Sequence, residues 1–260
     1  MGIRLSLIVL RAMNSYNDFA QVYDILTTNV EYSKRAACYN RLITAAGGKK
    51  GILLDLACGT GSMSFEFLKY GYDVIGIDGS EEMLSVATDK KLEKKEESII
   101  FLRQLMQELD LFGTIDVTVC SLDSLNHLVN PKDLQETFRR VSLFTNPGGL
   151  FLFDVNTPYK HREILADNTY FYDEPGVTCI WQNTLTEPDV VQIDLDLFIE
   201  TENGLYKRAA EHFSERAYPD EKLRHMLKKA GFEIVAVYDE DGEHLPNETS
   251  ERVIYVTKKI

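Results

Sequence analysis

Cysteine and tryptophan are scarce in this chain of 260 residues, which has four cysteines and one tryptophan. Cys38, Cys58, Cys120 and Cys179 are scattered, with neither a CxxC pair nor the cysteine–histidine spacing of zinc ligands. The pattern disfavours a disulfide framework and a structural zinc site, so no metal is expected. We expect four reduced, mostly buried thiols in a reducing compartment.

Positive charge is also in short supply, since 28 lysines and arginines stand against 41 aspartates and glutamates, a net charge of −13. A nucleic-acid partner normally requires a basic surface, so this charge disfavours one. Long apolar runs are missing too, because Leu5–Leu10 is too short to cross a membrane and no small-residue cleavage site follows it. We expect a cytoplasmic protein, monomeric or homodimeric, with a small-molecule partner and no membrane partner.

Apolar side chains are plentiful, at 44% of the residues, which is enough for the core of a large α/β domain. A recognisable domain begins just after Met13. We expect residues 1–12 to be an unstructured or non-native extension that arises from an upstream start codon.

Apolar runs alternate with amphipathic stretches through most of the chain, the pattern of a parallel sheet covered by helices. Helices are predicted at Tyr16–Leu26, Tyr32–Ala46, Met63–Tyr70, Ser80–Lys90, Lys132–Leu143 and Asp220–Ala230. Strands are predicted at Gly51–Leu56, Asp73–Ile77, Ile99–Arg103, Ile115–Ser121, Leu150–Val155, Glu233–Tyr238 and Arg252–Thr257, with a turn over Asn146–Gly149.

The pattern changes over Tyr170–Glu215, which lacks helical periodicity and contains four strand-like runs separated by turn residues such as Asn203-Gly204. The predicted fold is therefore an α/β, doubly wound, seven-stranded, mostly parallel Rossmann-like sheet with an antiparallel β insertion after strand five. Residues 13–168 and 217–260 would form the main domain. Residues 169–216 would form a lid or substrate-binding insertion.

The most specific segment is Leu53–Gly61, where a buried strand runs into a glycine turn before a helix. Gly59 and Gly61 permit a sharp turn and close approach of a ligand to backbone amides at the start of the helix. Asp78, at the end of the next strand, is placed to accept ribose hydroxyls.

A dinucleotide-binding domain shares these features, and three details separate the two. Ser64 replaces the third glycine of the dehydrogenase fingerprint, and the turn after the strand is longer than in a dehydrogenase. Asp55 at the strand tip would repel a pyrophosphate, whereas it suits a cofactor that carries an ammonium and a sulfonium.

The segment Asp55–Gly61 resembles motif I of the class I S-adenosylmethionine-dependent methyltransferases, and Val74–Ser80 resembles their acidic motif after strand two. The resemblance runs from about Tyr16 to Lys258. More narrowly, the chain is similar to a group of small bacterial methyltransferases called YqeM-like, on the segments Tyr16–Asp24, Ser121–Leu128, Asp154–Lys160 and Ser250–Arg252.

The resemblance implies that S-adenosyl-L-methionine is the cofactor. Gly59 and Gly61 would line its methionine part, Asp78 would take the ribose, Met83 would pack on the adenine, and Tyr23 would close over it. The remaining implied contacts are Asp55, Ala57, Gly79, Gln104, Leu105, Met106 and Leu122. Relatives carry an acid at the position of Leu105, so the adenine contact falls to backbone at Leu105–Met106, to Gln104 or Gln107, or to water.

Candidates for the chemistry lie at the carboxyl edge of the sheet, where open α/β sheets bind ligands. His127 is a candidate base or orienting group, or an ordinary loop histidine, and Tyr16 either reaches the pocket or packs in the core. Asp123 is expected to cap the following turn. The candidates for acceptor contact are Asn126, Trp181, His212, Arg216, Tyr218 and Arg252. Arg216 and Arg252 would suit an anionic acceptor, and His161, His225 and His244 are expected at the surface.

The predicted function is transfer of a methyl group from S-adenosyl-L-methionine to a nitrogen, oxygen or carbon of a small molecule, by direct in-line displacement. A general base is needed only if the acceptor must lose a proton. Two alternatives stay open: a cofactor-binding regulatory protein with little catalysis, and an NAD(P)-dependent oxidoreductase.

Overall fold

The computed structural model describes residues 18–260, which form two β-sheets and their covering helices. The predicted extension 1–12 and Tyr16 lie outside the described residues. The strands are β1 (Ile52–Leu56), β2 (Asp73–Asp78), β3 (Ile100–Arg103), β4 (Ile115–Cys120), β5 (Thr145–Asn156), β6 (Thr169–Glu174), β7 (Val177–Glu187), β8 (Val190–Glu200), β9 (Tyr206–Arg216), β10 (Phe232–Asp239) and β11 (Arg252–Lys259).

The helices are α1 (residues 18–26), α2 (Tyr32–Ala45), α3 (Ser62–Leu68), α4 (Glu81–Lys94), α5 (Pro131–Phe144) and α6 (Asp220–Lys229). A 3-10 turn spans Ser124–His127 and a π-helical turn spans Lys160–Leu165. Helix α4 shows how local sequence sets a boundary. The Ser80 hydroxyl accepts the Met83 amide at 3.1 Å, and two glutamates occupy the first turn.

Seven strands form the larger sheet, in the order β10-β11-β5-β4-β1-β2-β3. Strand β11 is antiparallel to both of its neighbours, and the pairs among β1 to β5 are parallel. Helices α5 and α6 cover one face over a core that includes Phe138 and Phe151, whereas α2 and α3 cover the other over Tyr39 and Phe67. The predicted mostly parallel, doubly wound sheet is confirmed.

The smaller sheet is antiparallel, in the order β6-β7-β8-β9, and occupies the segment where the insertion is predicted. Its β8–β9 turn uses the predicted Asn203-Gly204 pair, both with positive φ. Its own core also takes in Val22 of α1, with Phe19 packed alongside. The first helix therefore rests on the small sheet.

The predicted turn at Asn146–Gly149 lies within the segment assigned to β5, which begins at Thr145. These four residues have no partner in β4 or β11, because the pairing passes from Thr145 to Leu150, and Gly148 has a positive φ. One local expectation is wrong. His161, expected at the surface, is fully buried, because the π-helical turn carries its ring inward. Within residues 18–260, no helix combines the length and apolarity that a membrane span requires.

Candidate functional site

The loop between β1 and α3 forms the floor of a pocket at the carboxyl edge of the larger sheet. Ala57, Gly59 and Gly61 have φ values of 62°, 53° and 77°, so the chain turns sharply there. A Cβ on Gly61 would lie 2.8 Å from the Phe101 ring, which only glycine avoids. At Gly59 no atom lies within 4 Å of the Cβ position, so this side of the loop is open.

The pocket is open to solvent and comprises about 340 Å³ of space outside the protein atoms, part of which is bulk solvent. Its walls come from α1, from the β1–α3 loop and from the segment after β4. The lining residues are Tyr23, Tyr32, Asp55, Ala57, Cys58, Gly59, Thr60, Ser62, Met63, Ser121, Leu122 and Ser124. Five of the predicted cofactor residues are therefore gathered here: Tyr23, Asp55, Ala57, Gly59 and Leu122.

Asp55 is buried at the tip of β1 and accepts a 2.5 Å hydrogen bond from the Ser64 hydroxyl. Ser64 is the residue that replaces the third dehydrogenase glycine, and in the fold it orients this carboxylate. Burial raises the pKa of Asp55 to about 7, although the Ser64 hydrogen bond acts in the opposite direction. A cationic group in the pocket would restore the charged form.

Asp78 ends β2 beside the same loop. Its two carboxylate oxygens accept the backbone amides of Gly59 and Ser80, each at 2.8 Å. Burial raises the pKa of Asp78, and these hydrogen bonds oppose the rise. The carboxylate thus ties the glycine loop to the end of β2, next to the start of α4.

The predicted adenine contacts lie farther along the same edge. Both ends of the Gln104 amide are engaged by the backbone of Asp110, at 2.8 and 2.9 Å, and these two bonds leave one N–H and one lone pair of the amide. Leu105 is 45% exposed, and its side chain would lie 2.8 Å from a Cβ on Gly79. Met106 packs against the core that contains Phe138 and Phe151. The adenine contact therefore stays a prediction, with backbone at Leu105–Met106, Gln104, Gln107 and water as the candidates.

Helix α1 is fastened over the glycine loop by Asp24. This carboxylate accepts hydrogen bonds from the hydroxyls of Thr60, at 2.7 Å, and Ser62, at 3.1 Å, and forms a short ion pair with Lys90 of α4. The fastening holds Tyr23 of the same helix against the pocket.

The segment after β4 forms the opposite wall, and it is held by buried charge. Leu122 and Asp123 have positive φ values of 61° and 52°, and both donate their amides to the Asp154 carboxylate. Asp154 also accepts from Tyr39, at 2.7 Å, and from Arg252. Burial raises the pKa of Asp154, whereas the nearby Arg252 guanidinium lowers it. The net effect is a lowered pKa.

The expectation that Asp123 caps the following turn is wrong. Asp123 occupies the N-cap position of the 3-10 turn but makes no side-chain cap. Its carboxylate instead accepts from Asn156, at 2.5 Å, and from Arg252, at 3.1 Å. The guanidinium outweighs burial and lowers the pKa of Asp123 to about 2.

His127 ends that 3-10 turn, three residues after Ser124 of the pocket lining, and its side chain is 45% exposed. The Phe213 ring of β9 lies 5.0 Å from it, and the Glu215 carboxylate lies 3.7 Å from its Nε2 atom. Desolvation lowers the pKa of His127, while the carboxylates of Asp123 and Asp78 oppose this. The imidazole is therefore mainly neutral at neutral pH.

Three of the predicted acceptor residues are engaged in structural contacts. Asn126 is buried and joins Asn156 to the backbone of Arg216 through three hydrogen bonds. Tyr218 is buried and donates its hydroxyl to the Leu128 carbonyl. Trp181 packs beside two tyrosines of the small sheet and donates to Asn183 at 2.5 Å.

The other three lie elsewhere. His212 is exposed and pairs with Asp194 at 2.6 Å, on the β9 face opposite to Phe213. Arg216 donates to the Val129 carbonyl and to Glu187, both at 2.8 Å. The guanidinium of Arg252 is buried between Asp154 and Asp123. Both arginines that were expected to bind an anionic methyl acceptor are thus hydrogen-bonded to oxygen atoms of the protein.

Glu215 and His161 beside His127 were missed by sequence reasoning. Their chain positions lie far from the motifs, and Glu215 sits in a strand with no local signature. The alternation of β9 was the available signal, because residues 209, 211, 213 and 215 all face inward. His225 and His244 are exposed, as expected.

The pocket suits S-adenosylmethionine. Its buried Asp55 carboxylate calls for a positive partner, which the ammonium and sulfonium of this cofactor provide. The open side of Gly59 admits a ligand against the backbone. A pyrophosphate would meet the same carboxylate unfavourably. Within residues 18–260, no three His, Cys, Asp or Glu side chains are grouped as metal ligands would be.

Comparison with known proteins agrees with this geometry. A family model described as a methyltransferase domain matches residues 53–149. A Bacillus subtilis (strain 168) protein that carries the name methyltransferase YqeM is 36% identical over 94% of this chain and 97% of its own. A glycine/sarcosine N-methyltransferase of Halorhodospira halochloris is 34% identical over 48% of each chain.

Among solved structures, an S-adenosylmethionine-dependent methyltransferase from Clostridium acetobutylicum ATCC 824 is similar, with a TM-score of 0.85 and 30% identity. The match covers 94% of this chain and 98% of that one, so it includes the small sheet as well as the large one. The protein therefore belongs to the YqeM-like class I methyltransferases and is an enzyme that uses S-adenosyl-L-methionine as its cofactor.

Proposed function

We propose that the protein transfers a methyl group from S-adenosyl-L-methionine to the nitrogen of a small-molecule amine, by direct in-line displacement. The observation that carries this proposal is the imidazole of His127, which lies near the carboxylates of Asp78 and Asp123 in the turn whose first residue, Ser124, lines the pocket. The bound cofactor would supply an electrophilic methyl group, with Asp55 and the glycine loop on its methionine part and Asp78 on its ribose.

The charges favour an amine over an anionic acceptor. The carboxylates of Asp78 and Asp123 lie near His127, and the guanidiniums of Arg216 and Arg252 are hydrogen-bonded to protein carboxylates. A carboxylate or phosphate acceptor would therefore meet repulsion, while a cationic amine would be attracted. The glycine/sarcosine N-methyltransferase noted above acts, by its name, on amine nitrogens.

Positioning is the main task of the chain in this reaction. Holding a nucleophile in line with a reactive methyl group can account for about 7–11 kcal/mol of a barrier. An alkylammonium has no free lone pair, so it must lose a proton before its nitrogen attacks. His127 is the group that would take this proton. We further propose that the small sheet, through β9, is the wall against which the amine rests.

Turnover with matched acceptors tests the proposal. The protein is mixed with S-adenosylmethionine and with amines, alcohols and carboxylates that share one carbon skeleton, and S-adenosylhomocysteine release is followed by mass spectrometry. We expect product from amines alone. Turnover only with alcohols or carboxylates would overturn the choice of acceptor.

Calorimetry distinguishes the remaining alternatives. Tight S-adenosylhomocysteine binding without product, across broad amine panels, would support a regulatory protein. NADPH binding in place of S-adenosylhomocysteine would support an oxidoreductase and contradict the assignment of the pocket.

A further inference from the structure

A buried polar chain lies behind His127, on the inward face of β9. Glu215 is 5% exposed and sits two residues from Phe213, so both side chains lie on the same face of β9, and both approach His127. The Oε1 atom of Glu215 lies 3.7 Å from Nε2 of His127, and its Oε2 atom lies 3.8 Å from Nε2 of His161. One carboxyl group thus bridges a histidine at the surface and a histidine in the interior.

His161 occupies the interior end of this chain in a defined tautomer. Its Nδ1 atom lies 3.0 Å from the backbone carbonyl of Asp189. A carbonyl only accepts, so Nδ1 carries the hydrogen and Nε2 is bare in the neutral ring. This Nε2 atom is fully buried and has no hydrogen-bond partner among the described residues. An unsatisfied buried acceptor therefore points at the Glu215 carboxyl.

The surroundings decide which group holds the proton. Burial and the nearby Asp123 charge raise the pKa of Glu215 to about 8, while the Asn156 hydrogen bond acts in the opposite direction. Burial lowers the pKa of His161, and desolvation lowers that of His127. At neutral pH the chain is therefore consistent with neutral His127, protonated Glu215 and neutral His161. The charged groups that face it are Asp78, Asp123, Lys160, Asp189 and Arg252.

These groups fit one direction of hydrogen bonding. Nε2–H of His127 faces Glu215 Oε1, the proton on Oε2 faces Nε2 of His161, and Nδ1–H of His161 donates to Asp189. The two contacts of 3.7 and 3.8 Å would close to hydrogen bonds with small side-chain movements, as catalytic contacts commonly do on ligand binding. This arrangement leaves the lone pair of His127 Nδ1 unused.

We propose that Glu215 is a positioning residue for His127, and that His127, Glu215 and His161 form a proton-holding chain for the amine acceptor. The inference rests on the proposed function for the identity of the proton donor. The acceptor N–H proton passes to Nδ1 of His127, and Glu215 passes its own proton from Oε2 to Nε2 of His161. The resulting carboxylate faces the His127 imidazolium and stabilises it.

The step balances without an added reactant. The freed lone pair of the amine forms the nitrogen–carbon bond, while the carbon–sulfur bond breaks and leaves its electron pair on sulfur. The proton that the amine lost resides in the chain and returns to solvent from His127, after which Glu215 recovers its proton from His161.

Histidine side-chain NMR tests the chain independently of turnover. The protein has five histidines, so their ¹H–¹⁵N correlations can be followed individually from pH 5 to 9 in the S-adenosylhomocysteine complex. In the wild type, we expect protonation of His127 to move the Nε2 resonance of His161. In Glu215→Gln, which is isosteric and cannot release a proton, we expect this coupling to vanish. The pKa of His127 should fall by about one unit, a tenfold change in its proton affinity.

Glu211→Gln is the matched control, because Glu211 lies on the same inward face of β9, is 3% exposed and has a pKa raised to about 7. We expect it to leave the His127 titration unchanged. A second variant, His161→Gln, retains Glu215 but removes the acceptor of its proton, so the pKa of His127 should fall there as well. Identical His127 titrations in wild type and Glu215→Gln, or an equal fall in Glu211→Gln, would overturn the inference.

Kinetics distinguish failure of this inference from failure of the proposed function. For an amine that turns over, Glu215→Gln should lower kcat about tenfold at pH 6, in line with the one-unit shift, and leave S-adenosylhomocysteine affinity unchanged. If no amine is methylated, the proposed function fails, yet the NMR coupling still decides whether the chain exists. If amines are methylated and the coupling is absent, only the chain is wrong.

Discussion

The two halves of the pocket are built differently. The floor on the predicted cofactor side comes from one continuous stretch between Asp55 and Asp78, shaped by positive φ values and by the hydrogen bond of the Gly59 amide to Asp78. The acceptor half is assembled from Asp123, Asn156 and Glu215, which belong to three separate segments held by Arg252 from a fourth. The first half depends on local conformation and the second on long-range buried charge.

This contrast indicates where each half is vulnerable. Asp78 forms no ion pair within residues 18–260, so its removal leaves no uncompensated charge in the interior and should affect binding more than folding. Buried ion pairs behave differently, because removing one partner leaves an uncompensated charge in the interior. Changes in the acceptor half should therefore affect folding first.

The largest expected effect is that of Asp154→Ala. This carboxylate is fully buried and accepts from Tyr39, Arg252 and the amides of Leu122 and Asp123. Its loss leaves the Arg252 guanidinium short of a partner, so we expect the free energy of unfolding to fall by about 3–5 kcal/mol. Urea denaturation measures this.

Asp194→Ala is the control for that variant. Asp194 forms an exposed pair with His212, and such pairs contribute about 0–1 kcal/mol. Equal losses in the two variants would contradict the distinction between buried and surface charge.

Asp78→Ala comes next and should act on binding. We expect S-adenosylhomocysteine affinity to fall by about 1–3 kcal/mol, the scale of a charge-assisted hydrogen bond, with a cooperative unfolding transition retained. Isothermal calorimetry measures the affinity. Asp73→Ala, at the exposed start of the same strand, should bind as the wild type does. Unchanged affinity in a folded Asp78→Ala protein would remove Asp78 from the cofactor site.

Glu215→Gln should change how stability depends on pH. The folded pKa of about 8 lies above the ordinary value of 4.5, so the protonated carboxyl favours the folded state. This contribution is full below pH 4.5 and is lost as the pH rises through 8. Glutamine cannot ionise, so the variant should overtake the wild type by about 1–2 kcal/mol at pH 9, several degrees in Tm. Parallel melting curves at pH 5 and 9 would contradict the raised pKa.

Asp24→Asn should have the smallest effect. It weakens the ion pair with Lys90, and both side chains are partly exposed, at 33% and 21%. We expect a loss of less than about 1 kcal/mol, seen as faster amide exchange in α1. Glu31→Gln, which removes an exposed pair with Lys34, should not change exchange in α1. Slower exchange in Asp24→Asn would show that this pair does not fasten the helix.

Most of the fold could be predicted because its signals are local. Apolar runs marked the strands, and Ser80 with its following glutamates marked the start of α4. The turn predicted at Asn146–Gly149 lies inside the segment assigned to β5, and its four residues are skipped by the pairing with β4, as the local preference of proline and glycine predicts. The smaller sheet was predictable from the loss of helical periodicity and from Asn203-Gly204.

The contacts in the acceptor half were harder to predict from the sequence. Arg216 and Arg252 were chosen for their chemistry, but their partners Glu187, Asp154 and Asp123 are distant in the chain. His161 was expected at the surface because nothing beside it in the chain shows the turn that buries it. A residue's type specifies which contacts it can make, whereas distant neighbours decide which of them it does make.

The amino-acid order alone was sufficient for the cofactor and the class of enzyme, because Asp55, Gly59, Gly61 and Asp78 act through one turn and two adjacent strand ends. The neighbours of His127 depend on the tertiary structure, because β9 packs against the segment that follows β4. Glu215 and His161 approach His127 from distant parts of the chain, and their proton affinities depend on burial. Burial is a property of the packed molecule, so the acceptor side had to be read from the tertiary structure.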